Sequence, residues 1–268
     1  MNNENTKSMQ KKTVLITGAS GGIGAEFARL FAPDGSDLLL VARREEKLAA
    51  LKAELEAAYH IKVAIHAQDL TQTGAAEALF EYSTAHGIEV DVLVNNAGFG
   101  DWGFFAESDV RKQQAMIQLN VATLTTLTHL FLPQMIARGN GHILNVASIA
   151  SFMPGAKMAV YYASKAFVRS FSEALSVELK KTNSGVTVTA LCPGPVKTDF
   201  WDTAEAGKSS LFKHFFFADA KSVARCGYKA MKKGKVLALP GFAIWISAVI
   251  TKVFSRSFVR NAVYWIQK

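Results

Sequence analysis

Between Met158 and Phe167 the chain reads MAVYYASKAF, which sets two phenols, Tyr161 and Tyr162, within about a turn of an ammonium, Lys165. A free tyrosine titrates near ~10 and is a poor acid or base at neutral pH. A positive neighbour favours the phenolate and lowers that value, so such a pair could give a proton to a carbonyl oxygen or take one from an alcohol. Which tyrosine is meant is not settled by this stretch alone. A Tyr–Lys pair on a helix can also be ordinary surface.

A second group of residues suits phosphate. Thr17-Gly-Ala-Ser-Gly-Gly-Ile-Gly24 follows an apolar run and opens a helical one. Gly18 would let the chain turn tightly out of a strand, Gly22 would let backbone approach a pyrophosphate, and Gly24 would let helix and strand pack closely. The amides of the turn, through Ser20 and Ile23, would face the phosphates at a helix N-terminus. The next strand-like run ends in Val41-Ala42-Arg43-Arg44. An acid there would bind a ribose 2′-hydroxyl; guanidinium groups suit a 2′-phosphate, which argues for NADP(H). Asn95-Asn96-Ala97-Gly98 follows a later strand, and Asp69 could accept from an adenine amino group. Both stretches could instead be turn chemistry.

These residues need a frame. Short apolar runs at 13–17, 37–41, 62–66, 90–94, 141–146, 186–191 and 235–239 read as strands buried on both faces of a parallel sheet. Helical patterns at 45–59, 73–86, 110–136 and 158–181 lie between them. The alternation predicts an α/β fold: a doubly wound parallel sheet of about seven strands, with helices on both faces. Residues 12–268 read as a single domain after a disordered tail over 1–11. The substrate loop or lid is expected at about 196–218, and a basic, apolar segment at about 240–268.

In this order the motifs resemble the short-chain dehydrogenase/reductase family, single-domain type, on a Rossmann fold. The resemblance rests on TGASGGIG at 17–24, Asp69-Leu70, NNAG at 95–98, Asn120 in MIQLNVATL, Ser148 in NVASIAS, YYASK at 161–165 and Pro193-Gly194-Pro-Val196-Lys-Thr198. It covers about residues 13 to 200. The family's Tyr-x3-Lys pattern matches Tyr161 with Lys165, while Tyr162 would turn ~100° away on the helix. The resemblance implies Tyr161 as acid/base, Ser148 polarising the substrate oxygen, Lys165 binding the nicotinamide ribose, and Asn120 holding a water that links Lys165 to solvent. The loop from Pro193 to Thr198 would shape the nicotinamide end. The implied activity is NADP(H)-dependent oxidation of an alcohol or reduction of a carbonyl. A non-catalytic dinucleotide sensor and a membrane-surface lipid or ketoacyl reductase are the alternatives. The family commonly pairs subunits through its long middle helices, so a homodimer or homotetramer is expected.

Phe200, Trp201, Phe212, Phe215, Phe216 and Phe217, with Phe99, Trp102, Phe104 and Phe105, would line an apolar pocket for an apolar carbonyl or alcohol. The chain has 268 residues and a net charge of +8. From Asp219 onward it holds ten Lys or Arg against one Asp. That basic end could contact a membrane surface, close the pocket or join subunits; nothing in it reads nucleic acid. Cys192 and Cys226 have no metal-ligand spacing and read as reduced thiols, so no metal is expected. No run resembles a spanning helix, and the polar start has no apolar signal core, so a cytoplasmic protein is expected.

Overall fold

The computed structural model describes residues 11–198, Phe200 and 217–267. The tail expected over 1–11 lies, but for Lys11, outside them. So do Trp201, Phe212, Phe215 and Phe216 of the expected lid.

Seven strands form one parallel sheet in the order β3-β2-β1-β4-β5-β6-β7. They are β1 (Thr13–Thr17), β2 (Asp37–Ala42), β3 (Val63–Ala67), β4 (Val92–Asn95), β5 (Gly141–Val146), β6 (Val186–Leu191) and β7 (Leu237–Ala238). The Val, Leu and Ile runs of β1, β2, β4, β5 and β6 are buried on both faces, as parallel sheets require, while the edge strands β3 and β7 are only partly buried. Helices α1 (Gly22–Phe31), α2 (Glu45–Tyr59) and α7 (Ala220–Lys232) cover one face, burying Phe27, Leu48 and Val223 with Val14 and Leu40. On the other face α3 (Ala75–Ala85), α5 (Leu124–Arg138) and α6 (Ala159–Lys181) bury Leu79, Phe131 and Leu175 with Leu15 and Leu39. The chain order reverses between β1 and β4, both beside each other in the sheet. That switch point leaves a crevice beyond the strands' C-terminal ends.

Three expectations are corrected. The helix read over 110–136 is broken: α4 (Val110–Ile117) and α5 flank a π-helical turn, Gln118–Thr123. The turn's wider winding brings the buried Asn120 side chain onto Phe99 and Ser164. Taken together, Val110–Arg138 is also long and apolar enough to cross a membrane by length and composition, against the expectation that no run would be. Here its apolar face serves the core, where Leu127, Phe131 and Met135 are buried. The seventh strand shrinks to two residues, paired with Ala190 and Leu191 at the sheet's edge.

After β7 come α8 (Phe242–Val253) and α9 (Arg256–Ile266). Only Ala248 of α8 and Val259 and Val263 of α9 are fully buried among their apolar residues. The pair folds back toward the crevice. Ile244 Cδ1 lies so near Gly194 that a Cβ there would sit 2.5 Å from it.

Candidate active site

The switch-point crevice has a volume of about 390 Å³. One wall is the glycine turn, with Gly18, Ser20, Gly22 and Ile23; Arg43 and Arg44 follow at the end of β2, and Asp69 and Leu70 beyond β3. Asn96, Ala97 and Gly98 come after β4, Ser148 after β5, Tyr161 and Lys165 from α6, and Pro193, Gly194, Val196 and Thr198 after β6. Two expected residues do not line it. Gly24 backs the turn, and Asn120 sits behind Gly98.

The glycine turn has little spare room. A Cβ on Gly24 would stand 2.3 Å from the Gly18 carbonyl oxygen and 2.6 Å from Asn96 Nδ2. That amide donates to the backbone oxygens of Thr17 (2.9 Å) and Gly18 (3.1 Å), so Asn96 ties the turn to the loop after β4. Gly22 has φ +54°, and a Cβ on it would meet Thr198 Cγ2 at 2.8 Å. The cleared backbone is a cradle of the kind a pyrophosphate fits.

At the far end Arg44 Nη2 donates to Ser20 Oγ at 3.1 Å, and Arg43 is exposed beside them. Asp69 spends its oxygens on its own turn: Oδ1 accepts from Thr71 N–H (3.1 Å) and Thr71 Oγ1 (2.8 Å), and Oδ2 from Gln72 Nε2 (3.1 Å). Burial pushes its carboxyl up, but those hydrogen bonds and the Arg43 charge leave it below the usual range. Turn chemistry and a place on the crevice wall are therefore both present.

Tyr161 and Ser148 line the same part of the crevice. Ser148 caps the following 3-10 turn, its Oγ accepting from Ala150 N–H at 3.1 Å. Burial pushes the Tyr161 phenol up to about 12, with Ser148 pulling it partly back and Tyr162 adding to the rise. Lys165 is not among the groups that move it here. The Lys165 ammonium donates to the Val146 carbonyl at 2.7 Å and lies 5.9 Å from the Tyr161 ring centroid. Burial pushes that ammonium down to about 8.

Asn120 braces this pair from behind. Its Nδ2 donates to Phe99 O (3.0 Å) and Ser164 Oγ (3.1 Å), and its Oδ1 accepts from Phe99 N–H at 3.2 Å. A Cβ on Gly98 would sit 2.9 Å from Asn120 Oδ1 and 3.3 Å from Lys165 Nζ, so Gly98 lets both groups approach the loop.

Around Tyr161 the wall is apolar. Phe200 stands 5.4 Å from its ring, and a Cβ on Gly100 would touch Met158, Phe200 and Tyr161 together. Phe99 lines the crevice as expected. Phe104 and Phe105 are instead exposed, and the Trp102 and Phe104 rings lie under Lys157 Nζ at 5.7 and 5.5 Å. Tyr162 also lines the crevice, held by Gln267 Nε2, which donates to its hydroxyl at 2.9 Å. Met158 and Gln267 carry no signal in the sequence. Gln267 reaches the site only because α9 folds back across 105 positions of chain.

The description short chain dehydrogenase belongs to a family model that matches residues 12–209. An uncharacterized oxidoreductase of Staphylococcus saprophyticus subsp. saprophyticus is 33% identical over 226 residues, which cover 84% of this chain and 93% of the other. A short-chain dehydrogenase from Sphingobium yanoikuyae, solved in complex with NADPH, superposes with a TM-score of 0.80 at 31% identity, over 90% of this chain and 93% of that one. A short chain dehydrogenase/reductase from Burkholderia phymatum, solved in complex with NAD, superposes at 0.79 and 27% identity, over 89% and 92%.

Proposed function

The chain belongs to the short-chain dehydrogenase family, and on that footing we propose that it is an NADP(H)-dependent reductase or dehydrogenase of an apolar carbonyl or secondary alcohol, with Tyr161 as acid/base. The observation that carries this reading is that Tyr161, Ser148 and Lys165 line one crevice together with the glycine turn. When bound, the nicotinamide supplies or accepts the hydride. The amides from Ser20 to Ile23 would hold its pyrophosphate, Arg43 and Arg44 the 2′-phosphate, Lys165 the ribose, and Pro193 to Thr198 the carboxamide end.

The protein's own part is proton transfer and orientation. Ser148 Oγ donates to the substrate oxygen and polarises it. As carbon gains the hydride in reduction, the oxygen takes the Tyr161 proton and leaves as alcohol; oxidation runs the same steps backward. With the phenol near 12 and the ammonium near 8, both groups carry their protons at neutral pH, which sets the resting site for reduction. Asn120 would hold the water expected to link Lys165 to solvent and return the proton. Met158, Phe200 and Phe99 favour an apolar substrate.

The chain is proposed to act in the cytoplasm, where its two unpaired cysteines stay reduced. It is proposed to pair with a second copy through α4–α6, where Ile117, Phe167 and Val177 are exposed.

The test is a panel of ketones and aldehydes followed at the NADPH absorbance and repeated with NADH. Tyr161→Phe lowers turnover about 10²- to 10⁴-fold while NADPH affinity holds. Undiminished turnover in that variant sinks the assignment of the acid. Cofactor binding with no turnover of any substrate by the native chain points to a dinucleotide sensor.

A further inference from the structure

Helix α8 is built inside out. Its inward side carries Ile244, Ser247, Ala248 and Thr251, with the Ser247 and Thr251 hydroxyls bonded to their own helix backbone. Its outward side carries Phe242, Trp245, Ile246, Val249, Ile250 and Val253, with Phe242 and Val253 73% and 74% exposed. A helix packed on a core in water places its large apolar side chains the other way round. The outward surface continues past the helix end, where Phe254 and Phe258 stack at 5.0 Å and both are exposed. So large a contiguous apolar face marks a surface with a partner.

Charge selects the partner. From residue 220 to the last residue the sequence holds ten Lys or Arg and no Asp or Glu. Arg256 and Arg260, one turn apart on α9, are exposed. In a contact between two copies of this segment, neither copy offers an Asp or Glu to pair these arginines. An anionic lipid surface complements both the arginines and the apolar side chains. Helices of 12 and 11 residues are about 18 and 16 Å long, well short of a ~30 Å hydrocarbon core, so they suit lying in the interface and not crossing it.

We propose that the exposed face of α8 and α9 docks on an anionic membrane surface, with Phe242, Trp245, Ile250 and Val253 entering the headgroup boundary and Arg256 and Arg260 meeting lipid phosphates. The inner side of the same helix pair backs two residues of the crevice wall, through Ile244 against Gly194 and Gln267 on Tyr162. Docking therefore sets the substrate end beside lipid. The proposal does not rest on the enzymatic reading, because its test reads no turnover.

The experiment is co-sedimentation of the full chain with phosphatidylcholine vesicles, with and without phosphatidylglycerol, alongside sedimentation equilibrium without vesicles. The native chain partitions onto the anionic vesicles and weakly onto the neutral ones. Trp245→Ser with Ile250→Ser abolishes partitioning, and Arg256→Gln with Arg260→Gln lowers it about 30-fold, at roughly a kcal/mol per charge. Unchanged far-ultraviolet circular dichroism and NADPH affinity show that the variants are folded. Absence of binding to anionic vesicles overturns the proposal, as does equal binding by the native chain and either variant. A dimer in solution that the Trp245→Ser, Ile250→Ser variant splits, with no vesicle binding, assigns the face to a second copy and also overturns it.

Discussion

At the scale of single residues, the site turns on groups whose burial matters more than their pairing. Tyr161 and Lys165 lie four positions apart on one helix face, yet the ammonium is spent on the Val146 carbonyl and not on the phenol. Desolvation then dominates both groups, moving an acid up and a base down. The buried Cys192 thiol shows the same physics, pushed up to about 11 by burial and so held inert. On the proposed reading, Arg43 and Arg44 set the cofactor preference. Charge-assisted hydrogen bonds are worth ~1.5–3 kcal/mol, so Arg43→Ala with Arg44→Ala weakens NADPH about 10- to 100-fold and leaves NADH nearly unchanged, as read by fluorescence titration. Equal losses for both cofactors would remove the arginines from 2′-phosphate recognition.

At the scale of elements, the close approach of the glycine turn to the loop after β4 holds the cofactor end together. Gly24→Ala would push a methyl into the Gly18 carbonyl and the Asn96 amide. Overpacking of this kind costs ~1–3 kcal/mol, so the midpoint of urea unfolding falls and NADPH affinity falls with it. A variant as stable as the native chain would show that the turn can relax. The π-helical turn is the matching device on the opposite wall. Were Gln118–Thr123 regular α-helix, the positions after it would be rotated, and Asn120 could not keep its three hydrogen bonds to Phe99 and Ser164.

At the scale of the whole molecule, the buried Lys165 ammonium is a standing charge on stability. Its folded value, near 8, lies below the 10.5 of an exposed lysine, so between those values the unfolded chain holds more protons. Stability therefore rises with pH across that window, by up to about 3 kcal/mol, and the penalty is present in full below it. Tyr161 and Tyr162, raised from 10 to about 12, act oppositely only above pH 10, where the folded chain holds more protons and stability falls. Lys165→Met removes the first effect. Measured by urea unfolding, the native chain gains on that variant between about pH 8 and 10; a constant difference would mean the ammonium is solvated. Much of this architecture was legible in the sequence. The strand runs at 13–17, 141–146 and 186–191 fall where they were predicted, because strands buried on both faces must be apolar throughout. The glycine turn and the Tyr161–Lys165 spacing were legible for a similar reason, since backbone clearance and helical period are local properties. Other features were not. The winding around Asn120, the hold of Gln267 on Tyr162 and the direction in which α8 faces each depend on partners far along the chain. A local pattern marks α8 as apolar, but its apolar side chains could as well have faced the core. Only the packed molecule decided that they face outward, because Ile244, Ala248 and their neighbours fill the space over the crevice first.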